Sequence, residues 1–373
     1  MEYRQYGRTG LKVSTLSMGG MRFERPDDVD DMARIPLLMY DAGVNYFDTA
    51  PGYCKDKSEE IVGAAVRQMV KRQSAGGHDF YVSTKSNKPD AATVRSECER
   101  SLKRLGVERI DFYHIWCIRS WAEWEARKAG GAVKEFHKLK DEGLVRHVVV
   151  SHHLDSQDTQ RLLAEDQVEG MLLGFNSANW RFRLGGIEEA GRRQLGVMVM
   201  NPLGGGVLWQ APDKFQYLKR RPGDDLVRGA LRFVLSHPEV TGCLAGVRSL
   251  ADAQAAVEAW KSLELYSAAE LADVRQAALE GFADLCTGCG YCKECPQDIP
   301  VSALMETCNF ALLGNPEAAF GRLKWHWGVE NVDELVEKCI DCGRCEELCT
   351  QHLPIRERFA IIREAWEQGK PKT

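Results

Sequence analysis

Between residues 15 and 260 the sequence alternates a short apolar run with a longer amphipathic one, eight times over. Nothing else in the chain constrains its fold as strongly. Strands are expected at 15–19, 45–48, 80–85, 110–116, 145–151, 171–175, 197–201 and 242–246. Helical patterns lie at 28–42, 58–72, 91–105, 121–142, 155–165, 186–194, 225–236 and 251–260. Several of the strands (VVVS, MLLGF, VMVM) are nearly continuous apolar runs, as suits a parallel sheet buried on both faces. Eight strand–helix units over about 250 residues point to an α/β protein with a (β/α)8 TIM barrel. The rival is an open doubly wound sheet. Its dinucleotide site normally carries G-x-G-x-x-G in the first turn, and the sequence holds no such string. A barrel is therefore expected, preceded by a hairpin at 3–13 that turns at Gly7–Gly10.

Barrel enzymes keep their chemistry at the carboxyl ends of the strands. The stretch NYFDTAPGY ends one strand at Asp48 and turns at Pro51-Gly52 to present Tyr53. Lys85 closes the next run, FYVSTK, and His114 lies in the one after it, IDFYHIW. Together these four make a proton-transfer site. A tyrosine so placed can hand its proton to a substrate oxygen that gains negative charge. A free tyrosine, with a pKa near ~10, is a weak acid at neutral pH. A Lys85 ammonium held by Asp48 is expected to lower it, and His114 to point at the same oxygen. The competing reading is an Asp48–Lys85 ion pair beside a core histidine.

The residues FDTAPGY, STK and YHIW resemble those of the aldo/keto reductases, as do the opening YGRTGLKVSTLSMGGMRF, SEEIVGAAV, GLVRHVVVSHH and the loop PLGGG. Asp48, Tyr53, Lys85 and His114 match that family's catalytic tetrad. The resemblance implies a nicotinamide cofactor, NAD(H) or NADP(H), and a small carbonyl or alcohol substrate, sugar- or polyol-like. It puts Gly19, Asp48, Ser151 and His152 at the nicotinamide end, although the family usually has Asn where this chain has His152. Met200 falls where many members stack a tyrosine. Pro202, Leu203 and Gly204 belong to the loop that passes the pyrophosphate, and Gly246, Arg248 and Asp252 to the adenosine end. Asp252 falls where an arginine commonly meets a 2′-phosphate, and a carboxylate there suits a ribose hydroxyl better. The loop at 117–131 would border the substrate pocket.

After Trp260 the character changes. A connecting helix at 267–282 is expected, with Ser267 as N-cap and Glu270 three residues on. Eight of the 13 cysteines then fall in two tight clusters, CTGCGYCKECP and CIDCGRCEELC. The second has the C-x2-C-x2-C-x3-C spacing of bacterial 4Fe–4S ferredoxins. The fourth ligand in two-cluster ferredoxins comes from the other motif. The expected sets are Cys286, Cys289 and Cys292 with Cys349, and Cys339, Cys342 and Cys345 with Cys295. Zinc, which favours two separated cysteine pairs, fits these triplet-plus-one motifs poorly. Three regions follow: a barrel at 1–265, a connecting helix at 266–284 and a small α-rich ferredoxin-like iron–sulfur domain at 285–373. Between the clusters, Trp325-His326-Trp327 is expected to pack this domain onto the barrel.

The net charge of −5 gives no basic field for nucleic acid or an anionic membrane. No apolar run is long enough to span a bilayer, and the N-terminal residues lack a signal-peptide pattern, so a cytoplasmic location is expected. The leading expectation is an oxidoreductase with two 4Fe–4S clusters, structural or passing electrons to a redox partner protein. The alternative is an electron carrier or subunit that uses the barrel as a docking scaffold.

Overall fold

The eight expected strands form, and they close on themselves. β1 (Tyr3–Gln5) and β2 (Lys12–Ser14) make an antiparallel hairpin. The barrel strands are β3 (Leu16–Gly19), β4 (Tyr46–Asp48), β5 (Tyr81–Ser86), β6 (Ile110–Ile118), β7 (Val145–His152), β8 (Gly170–Gly174), β9 (Gly196–Met200) and β10 (Gly242–Gly246). They pair in parallel in the order β10-β3-β4-β5-β6-β7-β8-β9. This is a computed structural model, and it describes the chain except residues 205–207, 209, 210, 262, 282–284, 287–289, 350, 351 and 371–373.

The hairpin plugs the floor of the barrel. Tyr6 is fully buried inside it, among Tyr46, Tyr81, Phe112, Val149, Leu172 and Met198. Gly170 and Gly196 make room for that ring: a Cβ on Gly196 would lie 2.1 Å from Tyr6 Cδ1, and one on Gly170 2.4 Å from its hydroxyl. The lower layers are thus filled with aromatic and aliphatic side chains, as barrel interiors generally are. Polar residues are left to the rim.

Three helical patterns resolve differently from their sequence expectation. The run at 121–142 is two helices, Trp121–Ala129 and Ala132–Asp141. Gly131 between them takes φ +84°, and a Cβ on Gly130 would come within 2.2 Å of the Pro89 carbonyl oxygen, so the chain breaks where only glycines fit. The run at 28–42 divides into Val29–Met32 and Arg34–Asp41. The helix expected at 186–194 begins earlier, as Trp180–Arg192, and its Gly185 and Gly186 lie against Ser156 and Thr159 of the neighbouring helix. Those glycines serve close helix packing rather than a helix start.

The connecting helix is Ala268–Gly281, and its N-terminus is closed as expected: Glu270 N–H donates to Ser267 Oγ (3.2 Å) and Ser267 N–H to Glu270 Oε2 (2.7 Å). The segment after it is helical among the described residues, with Val301–Leu312, Pro316–Gly321, Val332–Glu337 and Ile355–Gln368 as its α-helices of six residues or more. It has its own apolar cluster, including Leu304, Met305, Leu323, Ile355, Phe359 and Ile362. It is also continuous with the barrel: Leu285, Phe310, Leu313, Ala319 and Ala365 belong to the buried cluster that surrounds the barrel strands.

Candidate active site

The site is built at the rim by strand register. Asp48 ends β4 and pairs with Ser83 of β5, while Lys85 of β5 pairs with His114 of β6. Side chains two residues apart on a strand share a face. Tyr46 and Asp48, Ser83 and Lys85, and Phe112 and His114 therefore stack in successive layers. Asp48, Lys85 and His114 are all buried.

Lys85 Nζ forms a short ion pair with Asp48 Oδ1 and donates to the Thr49 carbonyl at 2.9 Å. It lies 5.8 Å from the centroid of the Tyr53 ring. Burial raises the Asp48 carboxyl and lowers the Lys85 ammonium, and their mutual contact opposes both shifts. Tyr53 differs from its expectation. Burial, reinforced by the Asp48 charge, pushes its phenol above the ordinary tyrosine value. The Lys85 charge that was expected to lower it is already neutralised by Asp48.

His114 also differs. Ser83 Oγ donates to Asp48 Oδ1 at 2.7 Å, so its lone pairs face His114 Nε2, 2.9 Å away. The hydroxyl has one proton and it is engaged, which makes Nε2 the donor. Tyr46 OH lies 3.3 Å from the same nitrogen. Burial, and secondarily Lys85, holds the imidazole well below its usual pKa and therefore neutral. Nε2 is thus turned towards Ser83 and Tyr46 rather than outwards to a substrate oxygen. Ser83 and Tyr46 were missed from the sequence, where period-two spacing from Lys85 and Asp48 was the available signal.

Tyr53 is held by an unusual turn. Gly52 is left-handed (φ +79°), and so are Cys54 (+52°), Lys55 (+55°) and Asp56 (+66°). Non-glycine residues take that conformation at a cost of about 1–2 kcal/mol each. The turn is anchored through Asp56, which accepts from Gly52 N–H (2.9 Å) and from both terminal nitrogens of Arg104 (2.9 and 2.7 Å). Trp116 of β6 meets the Tyr53 ring edge-on at 5.6 Å.

The residues expected at the cofactor also collect at this rim. Gly19, Ser151, His152, Met200 and Gly246 end β3, β7, β9 and β10 or lie one residue short of it. Pro202, Leu203 and Gly204 follow β9, with Gly204 at φ +66°; the next two glycines of that loop, 205 and 206, lie outside the described residues. The cradle fits a nicotinamide dinucleotide on two observations. Both ring nitrogens of buried His152 have no hydrogen-bond partner among the described residues, as a carboxamide ligand requires. A Cβ on Gly246 would meet only Arg22 Cγ, at 3.8 Å, which leaves its backbone open to close approach. Arg248 and Asp252 are exposed, and the Asp252 carboxylate accepts from the Arg248 N–H at 3.1 Å.

In the C-terminal segment, Cys295, Cys339, Cys342 and Cys345 line one cavity with Pro296, Ile299, Val301 and Phe359. Among the described residues no three His, Cys, Asp or Glu side chains form a group able to hold a single metal ion. Of the other set, Cys289 lies outside the described residues. The Cys286 backbone is clasped by Asn309, whose side chain accepts from its N–H (2.9 Å) and donates to its carbonyl (3.0 Å). His326 stacks on His153, the residue after β7, at 4.1 Å, so this part of the insert does pack onto the barrel.

Comparison with known proteins agrees with this geometry. The family model described as "Aldo/keto reductase family" matches residues 15–278. A probable voltage-gated potassium channel subunit beta from Arabidopsis thaliana is 31% identical over 179 residues, 45% of this chain and 52% of that protein. L-galactose dehydrogenase from Arabidopsis thaliana is 25% identical over 300 residues, 71% of this chain and 89% of that protein. The chain thus spans about half the length of the first of these relatives. Among solved structures, the holo form of aldo-keto reductase AKR11C1 from Bacillus halodurans superposes with a TM-score of 0.61. At 23% identity it covers 75% of this chain and 96% of its own, a likeness of fold.

Proposed function

This chain belongs to the aldo/keto reductase family, and from that premise we infer that it is an NAD(P)-dependent oxidoreductase interconverting a small carbonyl compound and its alcohol at Tyr53. The observation that carries the reading is the buried Lys85–Asp48 pair beneath the Tyr53 ring at the rim of a closed barrel. The nicotinamide, when bound, supplies hydride to the carbonyl carbon or accepts it from the alcohol.

The chain's own residues do the rest. Tyr53 gives its phenolic proton to the carbonyl oxygen as negative charge develops there, and the carbonyl π pair leaves to that oxygen. Asp48 holds the Lys85 ammonium beneath the ring, and the pair positions Tyr53 without lowering its pKa. Ser83 and His114 fix the Asp48 carboxylate in turn. His152 and Ser151 would hold the carboxamide, Gly19 and Met200 would contribute to the nicotinamide site, Pro202, Leu203 and Gly204 would pass the pyrophosphate, and Gly246, Arg248 and Asp252 would meet the adenosine end. The adjacent loop at 117–131 and Trp116 would border a sugar- or polyol-like substrate.

The same proposal includes two 4Fe–4S clusters in the C-terminal segment. Its support is the ferredoxin spacing of the second motif, the near match of the first, which has two residues rather than three before its last cysteine, and the cavity shared by Cys339, Cys342, Cys345 and Cys295, the second expected ligand set. The first set is Cys286, Cys289, Cys292 and Cys349. Such clusters would be structural or would pass electrons to a redox partner.

The test is anaerobic purification followed by a carbonyl and alcohol screen with NAD(H) and NADP(H) in parallel, read by reduced-nicotinamide absorbance. Substrate-dependent oxidation or reduction of the nicotinamide is expected. An iron-containing protein that exchanges electrons but turns over no carbonyl or alcohol with either cofactor overturns the reading, leaving the barrel a scaffold.

A further inference from the structure

Two guanidinium groups are buried where the C-terminal segment meets the barrel rim, and they share a single carboxylate. Arg183, from the helix after β8, is 1% exposed, and Arg322, from the π-helical turn Arg322–His326, is 5% exposed. Both face Glu306, which is fully buried. Arg183 Nη2 lies 3.1 Å from Oε2 and 3.3 Å from Oε1, and Arg322 Nη1 lies 3.8 Å from Oε1. Among the described residues neither arginine has another ion pair. Two positive charges against one negative leave one unit of buried positive charge uncompensated. Such a charge is costly in an interior unless something pairs with it.

Among the described residues the surroundings offer donors and no second acid paired with either guanidinium. Arg183 Nε and Nη1 are buried without a hydrogen-bond partner among the described residues, and so is Trp327 Nε1. The Trp327 ring lies 5.7 Å from the Arg183 guanidinium. Arg322 Nη1 donates to His326 Nδ1 at 2.9 Å. His326 and the His153 it stacks on are both held neutral by burial. Burial pushes Arg322 down to about 10, which leaves it charged at neutral pH.

The cluster sits beside the proposed reaction site. Arg322 Nη1 lies 3.9 Å from where a Cβ on Gly174, the last residue of β8, would be. The Arg183 charge helps to depress His152 at the end of the neighbouring strand β7. We propose that Arg183 and Arg322, with the indole N–H of Trp327, recognise a carboxylate on the carbonyl substrate. A carboxylate matches the one surplus charge and can take two parallel N–H donors from an arginine fork. A phosphate would bring more charge than the site has to offer. This inference rests on the carbonyl chemistry assigned to Tyr53.

The experiment compares turnover of succinic semialdehyde, its methyl ester and glyceraldehyde 3-phosphate by the purified wild-type protein, with calorimetric binding of butyrate as a readout that needs no turnover. The acid should exceed its ester by ~10-fold or more in kcat/KM, mainly through KM. Arg322→Gln should bring that ratio close to one and abolish butyrate binding, and Arg322→Lys should restore part of the preference. The wild-type ratio and butyrate binding need no variant, so a variant that misfolds does not remove the test. Equal turnover of acid and ester with no butyrate binding overturns the proposal and makes the arginine pair a structural clasp. Preference for the phosphate ester overturns the assignment to carboxylate. If butyrate binds to the wild type and not to Arg322→Gln while no carbonyl is turned over, the anion site stands and the carbonyl reading falls.

Discussion

Burial raises the Tyr53 phenol, and the nearest ammonium, Lys85, is tied to Asp48. A raised pKa keeps the proton on through the neutral range, which is the form that reduction consumes. Carbonyl reduction should therefore stay level with pH through neutrality and fall only above the usual tyrosine value near ~10. Alcohol oxidation needs the phenolate, so it should climb across the same range. Tyr53→Phe should lose ~10²-fold or more in turnover and leave cofactor binding unchanged. Rate profiles in both directions check this; a reduction rate that halves near pH ~6.5, the ordinary histidine value, would give the proton to another group. At this scale Asp48, Tyr53 and Lys85 were legible as candidates because they lie within a residue of a strand end or just past it, and His114, inside β6, because its strand follows theirs and pairs it with Lys85. The direction of His114 was not, because it depends on the Ser83 hydroxyl of another strand, and serine in a strand is too common to stand out.

At the scale of elements, the turn after Gly52 and the hairpin under the barrel both hold residues in positions they would not choose alone. Asp56 accepts from Gly52 N–H and Arg104 and so maintains the left-handed run that carries Tyr53. Asp56→Ala should reduce kcat by about 10-fold or more by misplacing an intact Tyr53. Steady-state kinetics beside a melting curve would show it: unchanged kcat would make the anchor irrelevant to the reaction. Gly196→Ala puts a methyl group into the Tyr6 ring. A destabilisation of about 1–3 kcal/mol is expected, as for other overpacked cores, measurable by denaturant unfolding. Strand and helix order was readable from apolar periodicity, but the break at Gly130-Gly131 was not. Its cause is the Pro89 carbonyl, a neighbour that only the folded chain supplies.

For the whole molecule, the pairing of cysteines across the C-terminal segment sets the sharpest test. Cys295 shares a cavity with Cys339, Cys342 and Cys345, so Cys295→Ser should damage the cluster of that triplet and Cys349→Ser the other one. Iron content and electron paramagnetic resonance of anaerobic protein, about eight irons per chain in the wild type, distinguish the two. Damage confined to each residue's own local triplet would refute the crossed arrangement, and stoichiometric zinc without iron would remove the clusters. The cysteine motifs were plain in the sequence. The joint between the segment and the barrel was hidden, because Arg183 and Glu306 are 123 positions apart and neither belongs to a motif.

That joint also has a consequence in time. Leu285, Phe310, Leu313, Ala319 and Ala365 complete an apolar cluster whose other buried members come from the barrel and the connecting helix. A ribosome adds about 5–20 residues per second, so the strands and helices up to β10 emerge several seconds before Ala365 can cover them. During that interval the barrel carries a bare apolar wall, the kind of surface that draws chaperones or promotes aggregation. If the cysteine-rich segment needs iron and sulfide to fold, the wait is set by the supply of clusters. Iron starvation would then appear first as a loss of soluble barrel, before any change in the chemistry of the molecules that survive.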